Sequence, residues 1–275
     1  MSLTPHNFDY IRSLLHERTG NLLDDCKEYL IVQRLDPLLR REAVGTIDEL
    51  ITKLRTTPVC GLHDAVAQAL LTHETSFFRD PHYFEQIRKN VIPRIIKLRR
   101  GQKSLRIWCA ACSSGQEPLS IAMLLREHFS MQLRSWTVHL CASDFSPQII
   151  QRARRGQYTD MEINRGLPPE LKRQYFVRDG AHWQTDVRLQ EMVEFREINL
   201  VHPVLELPRM DLILLRNVLI YMDQEPRQKI LSTIRNLLNP GGYLVLGGPE
   251  TTHKLDASGS FRRIEFGCMS CLQIQ

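Results

Sequence analysis

No run of apolar residues in this 275-residue chain approaches the ~18 needed to cross a bilayer. The opening MSLTPHNFDYIRSLL also lacks the basic start and long apolar core of a secretory leader. The expectation is a cytoplasmic protein with no direct membrane insertion. Its seven cysteines, an odd number in a chain of intracellular character, argue against a disulfide framework. The two CxxC pairs, Cys109 with Cys112 and Cys268 with Cys271, are separated by 155 residues. Cys109 and Cys271 sit in apolar runs, and neither pair has the glycine or basic neighbours of a zinc knuckle, so no metal is expected. Internal repeats and low-complexity tracts are missing too. Neither GxGxxG nor a GK[ST] loop occurs, which argues against phosphate-cradling chemistry.

What is present is an ordinary globular composition, 43% hydrophobic and 24% charged, in a length that suggests about two domains. The formal charge of +5 is unevenly spread, with a net −3 in residues 1–75 and +8 in the remainder. The stretch Arg79 to Arg106 holds nine basic residues opposed only by Asp80 and Glu85. Such a run is ordinarily a solvated helix face, and it gains meaning as a surface for an acidic partner only beside a chemical motif.

The first 75 residues read as helices, with apolar periodicity at Phe8, Ile11, Leu14, Leu15 and again at Leu30, Ile31, Leu35, Leu38. Thr46 is placed to cap TIDELITKL, and Asp36-Pro37 to end one helix and open the next. A long helix is expected from about Pro81 to Arg100. Beyond it, short apolar runs alternate with amphipathic segments (LRIWCAA, EPLSIAMLLREHF, WTVHLCASD, SPQIIQRARRG), which implies βαβ units and a parallel sheet. FRRIEF and CMSCLQI lie too close together for a helical crossover and are expected to pair antiparallel. Residues 156–195 break the rhythm and read as an inserted β-subdomain. The expected organisation is α/β, with a small helical domain over 1–71, a linker over 72–80 and a larger domain over 81–275.

In an open α/β sheet, ligands gather at the carboxyl ends of the strands. The loop CSSGQEP follows the first strand and offers small residues and a helix N-terminus. Asp144 ends the second strand, where an acid can accept from ribose hydroxyls. Capping the next helix is the other reading, but Ser146 before Pro147 is the better cap. Asn199-Leu200 follows VEFREI, and either an adenine contact or a plain turn suits it. Arg216-Asn217 closes the apolar LILL run, with Tyr221 five residues past Arg216. The linker THETSFFRD sets two carboxylates, three hydroxyls, two aromatics and an arginine just before the larger domain. Phe77 and Phe78 could simply seat it there. The order of these features is that of a nucleoside-cofactor site.

On THETSFFRD, WCAACSSGQEPLSIAM, CASDFSPQIIQRARRGQY, INL at 198–200 and LLRNVLIYMD, spread over nearly the whole length, the chain resembles the CheR family of chemotaxis-receptor methyltransferases. The resemblance implies a helical N-terminal domain and a Rossmann-like, S-adenosylmethionine-dependent methyltransferase domain whose seven-stranded sheet is interrupted by a small antiparallel β-subdomain. It implies methyl transfer to glutamate carboxylates of chemoreceptors, with S-adenosylhomocysteine as product. Carried over, the cofactor contacts are Thr75, Arg79, Glu117, Asp144, Asn199, Leu200, Arg216 and Asn217, and Arg79 and Tyr221 flank the reacting methyl group. Lys27, Arg34, Arg40 and Arg41 match the basic helix that meets the acidic receptor region. The implied partners are the cytoplasmic helices of methyl-accepting receptors, met by a monomer recruited to receptor arrays, with no nucleic acid. Gln116 stands where relatives commonly have an acid and His73 where Asn is frequent. The region FVRDGAHWQTDVRLQEMVEF is shorter than in relatives that grip a receptor's C-terminal pentapeptide, which points to a tail-independent member. A nucleic-acid methyltransferase is the alternative, but RNVLIY stands where amino-directed base methylases carry [DN]PP[YF]. A non-catalytic docking protein is a third reading, opposed by Arg79, Asp144, Asn217 and Tyr221.

Overall fold

The computed structural model describes residues 3–24, 28–204, 207–250, 261–267 and 269–274, which group into two units. The first comprises Met1–Thr72 with Asn199–His202 and Tyr221–Ile230, and the second His73–Ile198, Pro203–Ile220 and Leu231–Gln275.

The first unit is built on four helices, α1 (Pro5–Thr19), α2 (Glu28–Arg41), α3 (Ile47–Thr56) and α4 (Gly61–Leu70). Thr4 and Thr46 cap α1 and α3 by accepting the Asn7 and Glu49 amides. Ile11, Leu14, Ile31, Leu35, Leu50 and Val66 are buried and form its core. The structure corrects one expectation here, since Pro37 lies inside α2 and opens no new helix. An internal proline costs about 3 kcal/mol. Ile31 and Leu35, both 0% exposed, and Leu38 at 7% lie either side of it, and burying each stabilises by about 1.5–3 kcal/mol, enough to hold the helix continuous.

The second unit opens with α5 (Pro81–Gln86), a π-helical turn over Ile87–Val91 and α6 (Ile92–Leu98). The long helix expected from the sequence is therefore widened by one turn. The Ile92 amide bonds back five residues to the Ile87 carbonyl, which sets Pro93 in the first turn of α6, where a missing N–H costs little. There follow β1 (Ser104–Ala110), α7 (Gln116–Phe129), β2 (Thr137–Asp144), α8 (Pro147–Arg155), β3 (Gln157–Tyr158), α9 (Asp160–Ile163), α10 (Pro169–Tyr175), β4 (Phe176–Asp179), β5 (His182–Thr185), α11 (Val187–Gln190), β6 (Val193–Glu197), β7 (Met210–Leu215), α12 (Gln224–Leu237), whose residues up to Ile230 count with the first unit, β8 (Leu238–Leu246), β9 (Phe261–Phe266) and β10 (Met269–Ile274).

Seven strands form one sheet in the order β6-β2-β1-β7-β8-β10-β9. Its β6, β2, β1, β7 and β8 are parallel, and β10 and β9 pair antiparallel at one edge, the arrangement expected for FRRIEF and CMSCLQI. β7 is buried at every position, as a central parallel strand must be. β3, β5 and β4 make a separate antiparallel sheet, so the insertion is a three-stranded subdomain, and Val193–Glu197 belongs to the main sheet. The chain order reverses between β1 and β7, the place where such sheets take ligands. Among the described residues no helix is long and apolar enough to cross a membrane.

Candidate active site

At the carboxyl end of β1 the chain enters a loop in which Ala111, Ser113 and Gly115 all take positive φ, at 54°, 50° and 93°. Within the loop the Cys112 amide donates to the Ser143 carbonyl at 2.8 Å and the Gly115 amide to the Cys112 carbonyl at 3.1 Å, which leaves the Ser113 amide for a side-chain acceptor. Asp144, at the end of the neighbouring β2, uses it. One of its oxygens accepts from the Ser113 amide at 3.0 Å and the other from the Ser146 amide at 3.1 Å. Ser146 itself caps α8 by accepting the Ile149 amide. An ionised carboxylate has about four acceptor positions, so two remain on Asp144 for a ligand.

Next to this loop runs the linker segment. Phe77 is fully buried, edge-on to Tyr158 at 5.0 Å and to Phe176 at 5.4 Å, so it ties the segment to the β-subdomain. The Phe78 amide donates to the Ser120 hydroxyl, and the Ser113 hydroxyl donates to the His73 carbonyl. Gly166 explains how close the segment lies: a Cβ there would be 2.0 Å from the Phe77 carbonyl oxygen, and φ is +87°. Thr75 is half-buried, and Arg79 donates to the Glu74 carbonyl at 3.0 Å.

The two segments are joined by Arg216, whose side chain is 1% exposed. Its guanidinium donates to Glu117 at 2.9 Å, to the Arg79 carbonyl at 2.9 Å and to Asp80 at 2.7 Å, and it lies over the Tyr83 ring at 4.8 Å. Burial pushes the Glu117 carboxyl above the usual carboxylate range, and the Arg216 charge opposes this without overcoming it. Asn217 follows with φ at 60°, and its side-chain oxygen is buried with no partner among the described residues. An orphaned acceptor of that kind, beside two unfilled positions on Asp144, fits a polar, zwitterionic nucleoside cofactor.

Glu250 went unremarked in the sequence, yet it organises this end of the sheet. Its carboxylate, 7% exposed, accepts the amides of Asn217 (2.9 Å), Val218 (2.8 Å), Leu219 (2.7 Å) and Gly247 (2.6 Å). A Cβ on Gly247 would come within 2.9 Å of the Asn217 amide. The only available signal was an acid shortly after the final parallel strand in LVLGGPE. Tyr158 is a second omission, buried with its hydroxyl donating to the Ser114 carbonyl at 2.9 Å. Burial pushes the Cys109 and Cys112 thiols well up, which disfavours the thiolate and makes them poor nucleophiles, while Cys268 lies outside the described residues.

The second unit thus brings together Thr75, Arg79, Glu117, Asp144, Arg216 and Asn217. Asn199, Leu200 and Tyr221 belong to the first. There the Asn199 side chain donates to the Arg18 carbonyl at 2.9 Å, Leu200 is buried, and Tyr221 is 40% exposed with its carbonyl accepting the Leu22 amide. Of the basic residues considered for docking, Lys27 lies outside the described residues. Arg34 caps the end of α4 through the Leu70 and Leu71 carbonyls, Arg40 pairs with Asp36 at 2.6 Å, and Arg41 pairs with Glu42 at 3.2 Å. In the basic stretch that follows the linker, Arg88 and Lys89 pair with Glu85, and Arg99 pairs with the buried Asp211.

The family model described as CheR methyltransferase, SAM binding domain, matches residues 73–266, and that described as CheR methyltransferase, all-alpha domain, matches residues 6–71. Chemotaxis protein methyltransferase 1 of Pseudomonas aeruginosa is 37% identical over 258 residues, which cover 93% of each chain. Chemotaxis protein methyltransferase Cher2 of Pseudomonas putida is 36% identical over 258 residues, 93% of this chain and 94% of its own. The chemotaxis protein methyltransferase of Escherichia coli is 31% identical over 267 residues, 95% of this chain and 90% of its own.

Proposed function

Because this chain belongs to the CheR methyltransferase family, we propose that it esterifies side-chain carboxylates of glutamates on the cytoplasmic helices of chemoreceptors, which adjusts receptor signalling during chemotaxis. The chain is an S-adenosylmethionine-dependent methyltransferase, and that cofactor supplies a methyl group on a sulfonium, already activated for transfer. The products are a γ-glutamyl methyl ester and S-adenosylhomocysteine. A glutamate is ionised at neutral pH, so no strong general base is needed. The protein's task is to align the acceptor oxygen with the methyl group and to shield the pair from water.

The observation that carries this reading is the buried Arg216 guanidinium, which pins the Arg79 carbonyl and Asp80 and so fixes where the Arg79 side chain starts. Arg79 orients the acceptor carboxylate, and Tyr221 donates one hydrogen bond to it. Asp144 takes the ribose hydroxyls on its two remaining acceptor positions. Thr75, Asn199, Leu200 and Asn217 complete the cofactor contacts. Glu117 and Arg216 act on the cofactor's amino-acid end, Glu117 toward the ammonium and Arg216 by holding Glu117. Arg40 and Arg41, with Lys27 and Arg34, steer the acidic receptor helix, a contribution to encounter more than to affinity. The protein works as a cytoplasmic monomer recruited to receptor arrays without a C-terminal pentapeptide tether.

Radiolabelled S-adenosylmethionine incubated with receptor-containing membranes tests the proposal. The expected result is label in the receptor band that alkali releases as methanol. Receptor that stays unlabelled, with stable label in added RNA or DNA, would overturn it.

A further inference from the structure

A cavity of about 390 Å³ opens in the second unit beside the ends of β7 and β8 and against β10. Its volume lies within the roughly 300–1,000 Å³ of small-ligand sites. Both acids that line it are already engaged: Asp80 is paired with Arg216 at 2.7 Å, and Glu250 accepts four backbone amides. The cations on the wall are differently placed. Arg79 donates to a neutral carbonyl, and Arg263, on β9, is paired at 3.2 Å with Glu265 in a bridge whose side chains are 47% and 67% exposed. An ion pair that open to solvent binds weakly and exchanges readily. His82 and the Ser270 hydroxyl add two more polar groups. The wall therefore favours an anion with hydrogen-bond acceptors.

We propose that this cavity admits the acceptor glutamate and that Arg263, on the antiparallel edge of the sheet, is a binding residue for the acidic receptor segment. The inference rests on the carboxyl-methyltransferase reading and extends it to a strand that has no part in the cofactor site. Arg79, half-buried on the wall, is the orienting cation, and Arg263 is the more exposed of the two. Arg263 attracts the carboxylate-bearing helix, exchanging Glu265 for a receptor carboxylate.

Arg263→Glu and Arg263→Lys variants, assayed for receptor methylation and for S-adenosylhomocysteine binding by calorimetry, test this. Arg263 is exposed, so its replacement leaves folding intact. Reversal replaces an attraction by a repulsion, so kcat/KM for receptor falls by about tenfold or more through KM, with the product's Kd unchanged. Arg263→Lys keeps most of the activity, and the salt dependence of kcat/KM flattens only in Arg263→Glu. An unchanged kcat/KM in Arg263→Glu, or a Kd that rises in step with KM, overturns the assignment. If the wild-type protein deposits no base-labile methyl on receptor, the functional reading itself fails, a result the variants do not bear on.

Discussion

Replacing Glu250 by glutamine keeps its shape and removes its charge, and the geometry makes this a severe change. One carboxylate oxygen accepts Val218 and Leu219, and the other accepts Asn217 and Gly247. A glutamine has one oxygen to serve one of these pairs. Its NH₂ then faces two backbone donors, whichever way the amide is turned. Two buried N–H groups are left without an acceptor at about 1–3 kcal/mol each, and the two remaining bonds lose their charge assistance. The expected loss is about 3–5 kcal/mol, and for a unit of this size the melting temperature should drop by roughly 8–15 °C. Thermal unfolding by circular dichroism at neutral pH measures it. Methyl transfer under single-turnover conditions should fall in parallel, because the same carboxylate shapes the turn that carries Asn217. A Glu250→Gln protein melting within about 1 °C of wild type would refute the reasoning, since no arrangement of one oxygen satisfies four donors.

Gly166→Ala should destabilise by about 2–4 kcal/mol in denaturant unfolding, because the new Cβ and the Phe77 carbonyl cannot both keep their places at φ +87°. Asp144→Asn should raise the dissociation constant for S-adenosylhomocysteine by about tenfold or more in calorimetry, and an unchanged value would remove Asp144 from the ribose. Asp186, held down to about 2 by the Arg188 hydrogen bond, should contribute stability that is complete above about pH 4 and fades as the pH falls toward 2. Arg188 is largely exposed, so the gap between wild type and Asp186→Asn should stay under about 1 kcal/mol at pH 7 and close over that acid window in melting curves.

Periodicity and turn chemistry made much of the fold legible. The alternating strands and helices, the antiparallel pair at the end and the helical first 70 residues all follow from local patterns that their packing reinforces. Pro37 misleads because a propensity of a few kcal/mol yields to the burial of Ile31, Leu35 and Leu38. The π-helical turn at Ile87–Val91 leaves no mark, since one extra residue in a helix changes no residue type. In the site, Asp144 and the linker stand out by residue type at the right place along the chain. Ala111 and Ser113 hide their left-handed backbone because neither is glycine. Glu250 leaves only a faint mark in the sequence, because three of the four amides it serves lie more than thirty positions away. Arg34 reads as a surface cation, yet its donors go to backbone carbonyls that end α4.

The pinning of the linker by Arg216 also orders events in time. Arg79 and Asp80 are separated from the guanidinium that holds them by 137 and 136 positions, and Phe77 is close-packed against Gly166. A chain still emerging from the ribosome and ending before β7 carries the whole linker and not the guanidinium that fixes it. The segment that positions Arg79 must then wait for distant strands to close, and closure over such separations is slow. During synthesis Arg79 is made early, and its backbone is fixed late, only once Arg216 has followed β7.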